Sequence, residues 1–181
     1  GLGDVYKRQV QNYVSAKGNF RAVTWKPSSN GMNVPLGFNA DLVWAKRTNG
    51  TDSHRLYDSI RGEHNDLVPS NTNRESSNNY GLGFVNGNRR LELDAGSYFD
   101  NNGNEFVAWC WKAAGNTAEV GKANLIDIDG TVSTPDISSF GGDYTPHKMS
   151  INREAGFSIV HYTGLKNGTF RTIPHGLNKK P

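Results

Sequence analysis

At 181 residues the chain fits one domain of about 100–200 residues, and only 35% of it is hydrophobic while Gly and Asn number 21 each. A formal charge of +3, evenly spread, gives no nucleic-acid footprint, and the single Cys excludes an internal disulfide framework or thiolate zinc site. No apolar run reaches the roughly 18–20 residues of a membrane-spanning helix, and no secretory leader is visible, so neither a membrane nor a nucleic acid is an expected partner.

In chain order, Gly1 to Gln9 has the look of a translated sequencing-adapter remnant and is set aside from fold reasoning. Val23-Thr24-Trp25 reads as a short strand that ends at Lys26-Pro27. Asn-Gly, the pair that best tolerates a two-residue hairpin turn, occurs at Asn30, Asn49, Asn86, Asn102 and Asn167. Four of these have strand-like flanks. Leu42–Lys46 should face His54–Tyr57, and Leu82–Val85 should face Arg89–Leu93. Ser97–Asp100 should face Glu105–Ala108 with Phe99 opposite Phe106, and Ile159–Leu165 should face Phe170–Ile173. Asp58–Glu63 supplies one helical turn at most, and Asn65–Asn79 reads as a loop.

Glu105–Lys112 is the strongest core signal. Period two places Val107, Trp109 and Trp111 on one face and Phe106, Ala108 and Cys110 on the other, as in a central strand covered on both sides. Gly115–Gly142 reads as a long surface excursion or a pair of edge strands. Many short strands with frequent turns and almost no helical periodicity predict an all-β fold, an antiparallel two-sheet β-sandwich. The sequence around Ile159–Asn178 echoes that around Val23–Asn39. On that basis residues 10–155 form the sandwich, and residues 156–181 begin a second, truncated repeat that can pack as extra strands on the first.

Five blocks appear in fixed order: Asp41–Arg47, His54–Gly62, Phe106–Lys112, Gly156–Gly164 and Ile173–Leu177. Together they resemble a domain of unknown function found, often in tandem, in tail-fibre-like and other virion proteins of marine phages and in related environmental sequences. The resemblance covers about residues 18 to 181. It implies a concanavalin- or laminin-G-like jelly-roll sandwich and brings no established catalytic residues. Asp127-Ile-Asp129-Gly130 and Thr145–Lys148 depart from the family pattern.

Few residues point to chemistry. The five His residues are scattered, and His-Glu-x-x-His, Gly-x-Ser-x-Gly and a phosphate-binding Gly-rich loop are all absent. Cys110 lies in the most apolar strand and is expected to be buried and inert, so no catalytic residue is expected. Asp127 and Asp129 alternate before a turn and, with Asp136 or Asp143, could supply oxygens to Ca²⁺, the one cofactor considered. Two solvent-facing carboxylates at a turn would give the same pattern. Arg61 and Glu63, near Arg55 and Asp58, read either as an Arg–carboxylate pair fixing a loop or as the lip of a sugar- or carboxylate-binding site. Trp25 is the better candidate for an exposed sugar-stacking platform, and Trp44, alternating with Leu42, for the core.

The expected function is a non-enzymatic structural or adhesion domain of a phage particle, located in the virion. Its partners would be other virion subunits, including copies of itself, and a host-surface glycan held through Asn-rich loops. The alternative is a glycan-processing enzyme on the same sandwich. Retaining hydrolysis would need two carboxyls about 5–5.5 Å apart, with Glu92, Asp94 and Glu105 the carboxylates on or beside predicted strands. A purely architectural spacer has the same sequence signature.

Overall fold

The computed structural model describes residues 18–27, 31–77, 82–84, 89–94, 97–114, 126–133, 141–143, 146–164 and 170–180. The segment 1–9 therefore lies outside the described residues. In chain order the strands are β1 (Phe20–Trp25), β2 (Met32–Pro35), β3 (Leu42–Arg47), β4 (Arg55–Asp58), β5 (Gly62–Leu67), β6 (Ser76–Ser77) and β7 (Leu82–Gly83). They continue with β8 (Arg90–Leu93), β9 (Phe106–Trp111), β10 (Ile126–Ile128), β11 (Thr131–Ser133), β12 (Pro146–Asn152) and β13 (Phe157–Tyr162).

Three sheets result, in the orders β1-β9-β3-β4-β5-β6, β2-β8-β7 and β11-β10-β12-β13. Among the described residues every strand pair is antiparallel except β10 with β12. The six-stranded and three-stranded sheets enclose one apolar core, so the protein is an all-β, two-sheet sandwich. Val23, Trp25, Val43, Ala45, Tyr57, Phe106, Ala108 and Cys110 enter it from one sheet, and Val34, Leu82, Leu91 and Leu93 from the other. Leu36, Phe38, Phe84 and Phe99 fill its ends from the connections. Burying each large apolar side chain stabilises the fold by about 1.5–3 kcal/mol.

Two of the expected hairpins form as read. β3 pairs with β4, Trp44 opposite Leu56, across the connection that contains Asn49-Gly50. β7 pairs with β8, Leu82 opposite Leu93, although the turn itself lies outside the described residues. The other two differ. Tyr98–Asp100 is a single 3₁₀ turn, because Phe99 folds over the end of the sandwich against Trp25 (6.3 Å between ring centroids) and Phe106 (5.5 Å). Ile159–Tyr162 does not turn back on Phe170–Ile173; it belongs to β13, which pairs with β12, Val160 opposite Met149.

The polar excursion after Ala114 contains a hairpin, β10 to β11, turned by Asp129 and Gly130 at φ +52° and +87°. Both central residues of this turn need positive φ, which Asp and Gly tolerate at least cost. Residues expected to open a second repeat supply β13 and the buried Leu177 to the four-stranded sheet. A second cluster of Ile126, Met149, Ile151 and Leu177 lies beneath that sheet.

Polar groups join this smaller unit to the sandwich. Asp41, fully buried, accepts from Ser59 Oγ (2.8 Å), the Ala113 amide (2.8 Å) and Ser150 Oγ on β12 (3.4 Å). Ser150 Oγ also accepts from the Ala114 amide (3.0 Å). Asn152 Nδ2 donates to Asn19 Oδ1 (3.2 Å).

Candidate functional site

The outer face of the six-stranded sheet carries the most unusual surface among the described residues. Directly paired residues of antiparallel strands point to the same face, so the register lays out cross-strand rows. One runs Ala22, Trp109, Trp44, Leu56, and the next runs Phe20, Trp111, Leu42. Neither row is sealed. Trp44 and Phe20 are each 36% exposed, while Trp109, Trp111, Leu42 and Leu56 are half-buried. β9 therefore has an inner face that is fully covered and an outer face that is not, which corrects the expectation that both sides would be sealed.

The rings form two adjacent groups along one track, joined only through Trp109 and Trp111, two residues apart on the same face of β9. Trp44 meets Trp109 edge-on (6.2 Å, 67°) and His54 in the same manner (5.7 Å, 68°). Trp111 lies against Phe20 (5.1 Å) and stacks on Phe157 of β13 (6.4 Å, 27°). The Trp44 indole N–H donates to His54 Nδ1 (2.9 Å). With its single donor satisfied inside the protein, the exposed part of this side chain offers a ligand its π face. Such a surface suits the C–H face of a sugar ring or another apolar plate, and it brings no nucleophile or paired acid.

The two Trp assignments made from sequence are exchanged. Trp25 is buried (7% exposed), donates its indole N–H to the Phe99 carbonyl (3.1 Å) and stacks on Phe106 (5.3 Å, 17°). It is a core residue and offers no platform. Trp44 stands outside, because the inward positions of β3 are Val43 and Ala45, both fully buried. Alternation with Leu42 correctly placed the two on one face; it carried no information on which face looks inward.

Arg61 and Glu63 do fold-stabilising work. Arg61 Nε donates to Asp58 Oδ2 (2.6 Å), its amide to Asp58 Oδ1 (2.8 Å), and its Nη atoms to the carbonyls of Asn65 (3.1 Å) and Leu56 (3.2 Å). Glu75 sits 3.3 Å from the same guanidinium. Every branch of the fork thus ties the β4–β5 connection together. Glu63 Oε2 accepts the Phe84 amide (3.1 Å), linking β5 to the residue that follows β7.

Asp127 lies on β10, and its side chain falls outside the described residues, as does Asp136. Asp129 Oδ1 accepts the Arg153 amide (2.8 Å) and so caps the neighbouring turn. Among the described residues no three His, Cys, Asp or Glu come together as a metal site. Of the carboxylates considered for hydrolysis, Glu92 pairs with Arg90 (3.0 Å) in the three-stranded sheet. Glu105 pairs with Lys26 (3.2 Å) beside the other sheet, and Asp94 is exposed just after β8. Cys110 is fully buried, and burial pushes its thiol far above the ordinary range. Tyr98 is raised from 10.0 to about 12, first by burial and then by the nearby Asp52 carboxylate.

The model of a family described as "Domain of unknown function (DUF7483)" matches residues 18–181, and the chain belongs to this family. No curated protein and no solved structure matches it significantly.

Proposed function

We propose that this chain is a non-enzymatic adhesion domain of a phage particle, which holds a host-surface glycan against the aromatic outer face of its six-stranded sheet. The observation that carries the reading is the edge-to-face pair of exposed Trp44 and half-buried Trp109 on the outer face of the sheet. A pyranose has an apolar C–H face that loses water on contact with an indole, and each apolar Å² buried is worth about 25 cal/mol. A shallow track of this kind gives a weak single site. Copies of the domain within an oligomer or a tandem array would turn such contacts into useful avidity. The virion setting, with other virion subunits as partners, rests on the sequence resemblance. The glycan site moves from the loops expected from sequence to the sheet face.

The test is glycan-array binding by the full chain, followed by titration of a bound neutral oligosaccharide. Trp44→Ala should weaken binding about tenfold, equivalent to about 1.4 kcal/mol, and Trp44→Phe should keep most of it. Unchanged affinity in Trp44→Ala and Trp109→Ala, or no glycan bound by the wild-type chain, would sink the proposal.

A further inference from the structure

A cleft of about 590 Å³ opens between the 141–143 segment and residues 172–180. Its volume falls within the range of about 300–1,000 Å³ typical of small-molecule sites. Arg153, Lys179 and Lys180 line it, and no carboxylate does so among the described residues.

The cleft is held in shape by its own hydrogen bonds. Thr172 donates both its amide (2.8 Å) and its hydroxyl (2.9 Å) to Asp143 Oδ2. The Asp143 amide donates back to the Thr172 carbonyl (2.9 Å). These bonds, with Arg171 at 3.6 Å, hold the Asp143 carboxyl below its usual range, so the nearest acid is spent on a clasp. Arg153 is anchored twice, by its amide on Asp129 and by Nε on the Gly176 carbonyl (3.2 Å). That leaves its two Nη nitrogens as the part of the fork available to a ligand. His175 Nδ1 accepts the Leu177 amide (3.1 Å), which makes Nε2 the N–H donor of the neutral ring.

Ile173 and Pro174 supply the apolar part of the lining, and the segment packs tightly on the residues behind it. Pro174 and Leu177 are buried, and Gly176 has φ +71° with Ile151 so close that a Cβ would collide with it. One anchored guanidinium, two exposed ammonium groups and a histidine donor beside a buried proline match an amphipathic anion of sugar size. They form no extended basic stripe of the kind nucleic acid requires.

We infer that this cleft is a subsite for an acidic sugar, one bearing a carboxylate or a sulfate, an assignment that rests on the glycan-binding reading above. The anionic oxygens meet the Arg153 fork and the Lys179 and Lys180 ammonium groups, and the ring lies on the Pro174 side. The aromatic track and the cleft would then read different parts of one charged polysaccharide.

The experiment titrates the full chain with D-glucuronate, D-glucose 6-sulfate and D-glucose by amide chemical-shift perturbation, at low and high salt. The expected result is saturable binding of at least one acidic probe, centred on residues 172–180, that weakens with salt. Which acidic probe binds more tightly tells carboxylate from sulfate recognition. The surface double variant Lys179→Glu/Lys180→Glu should reduce acidic-probe affinity about tenfold or more, and Arg153→Gln should do the same if it folds. Acidic probes that bind no better than glucose, or as well to the double variant as to the wild type, overturn the cleft assignment. Loss of neutral-oligosaccharide binding in Trp44→Ala would still stand in that case, so the two readings fail separately.

Discussion

The two apolar clusters of this protein are built from different materials. The sandwich core gathers seventeen buried residues, among them Trp25, Tyr57, Phe99 and Phe106, whose rings form one contact network around Phe99. The cluster beneath the four-stranded sheet has four, all aliphatic or Met. What the smaller unit lacks in apolar burial it recovers through its polar junction with the sandwich: Asp41, Ser150, the Ala113 and Ala114 amides, and Asn152 with Asn19. Apolar packing is cooperative and tolerant of small shifts, whereas a buried carboxylate with several donors demands one geometry. The sandwich therefore sets the scaffold's stability, and the junction fixes how the smaller unit, with its cleft, is presented.

The largest effect should come from Phe106→Ala, which empties the middle of the aromatic core. It should cost about 3–5 kcal/mol, and denaturant unfolding should show one transition shifted for both regions; an unshifted midpoint would break the distinction drawn here. Asp41→Ala comes next. It strands the Ala113 amide and two buried hydroxyls, at about 1–3 kcal/mol for each buried group left unsatisfied. Hydrogen exchange should rise first in β10, β12 and β13 while β3 and β9 stay protected, and uniform loss across both regions would argue that the junction is no boundary. The smallest effect concerns pH. The raised pKa of Tyr98 means that the unfolded chain ionises first. Its contribution is fully present below about pH 10 and is lost as pH rises through about 12. Absorbance titration of the phenolates should show a late-titrating component that is lost in Tyr98→Phe, with no matching change in the smaller unit.

Much of the sandwich was legible in the sequence. The strand flanks of Asn49-Gly50 and within Leu82–Leu93 located two antiparallel pairings; at the first, Asn49 and Gly50 take no positive φ and sit inside a connection of residues 48–54. Phe106–Trp111 declared itself central through its apolar content. The face proposed for binding was not legible, for a definable reason: period-two alternation has two phases of equal merit when both carry apolar residues. Only the register with β9, set by a partner far along the chain, turns Val43 inward and Trp44 outward. The same kind of partner information was missing at Tyr98–Asp100, where Phe99 is drawn over Trp25 instead of extending into a strand. For the cleft, the legible signal was the basic end of the chain at Lys179-Lys180, but nothing local pointed to Arg153, which a turn between β12 and β13 brings beside it.

The strand order also has a kinetic meaning. β1 and β3 do not touch; each is hydrogen-bonded to β9, which lies far downstream of both. As the chain leaves the ribosome, β1 emerges with its inward apolar residues and has no strand to pair with until Phe106–Trp111 appears, while β3 can pair at once with β4 but keeps its other edge open over the same interval. Closing such long loops must precede any gain from pairing, which places folding in the slow, non-local class and prolongs the exposure of unpaired edges. Of the outward residues of β1, Phe20, Ala22 and Thr24, only Thr24 is polar, so solubility during that interval depends on the Asn- and Gly-rich connections between the waiting strands.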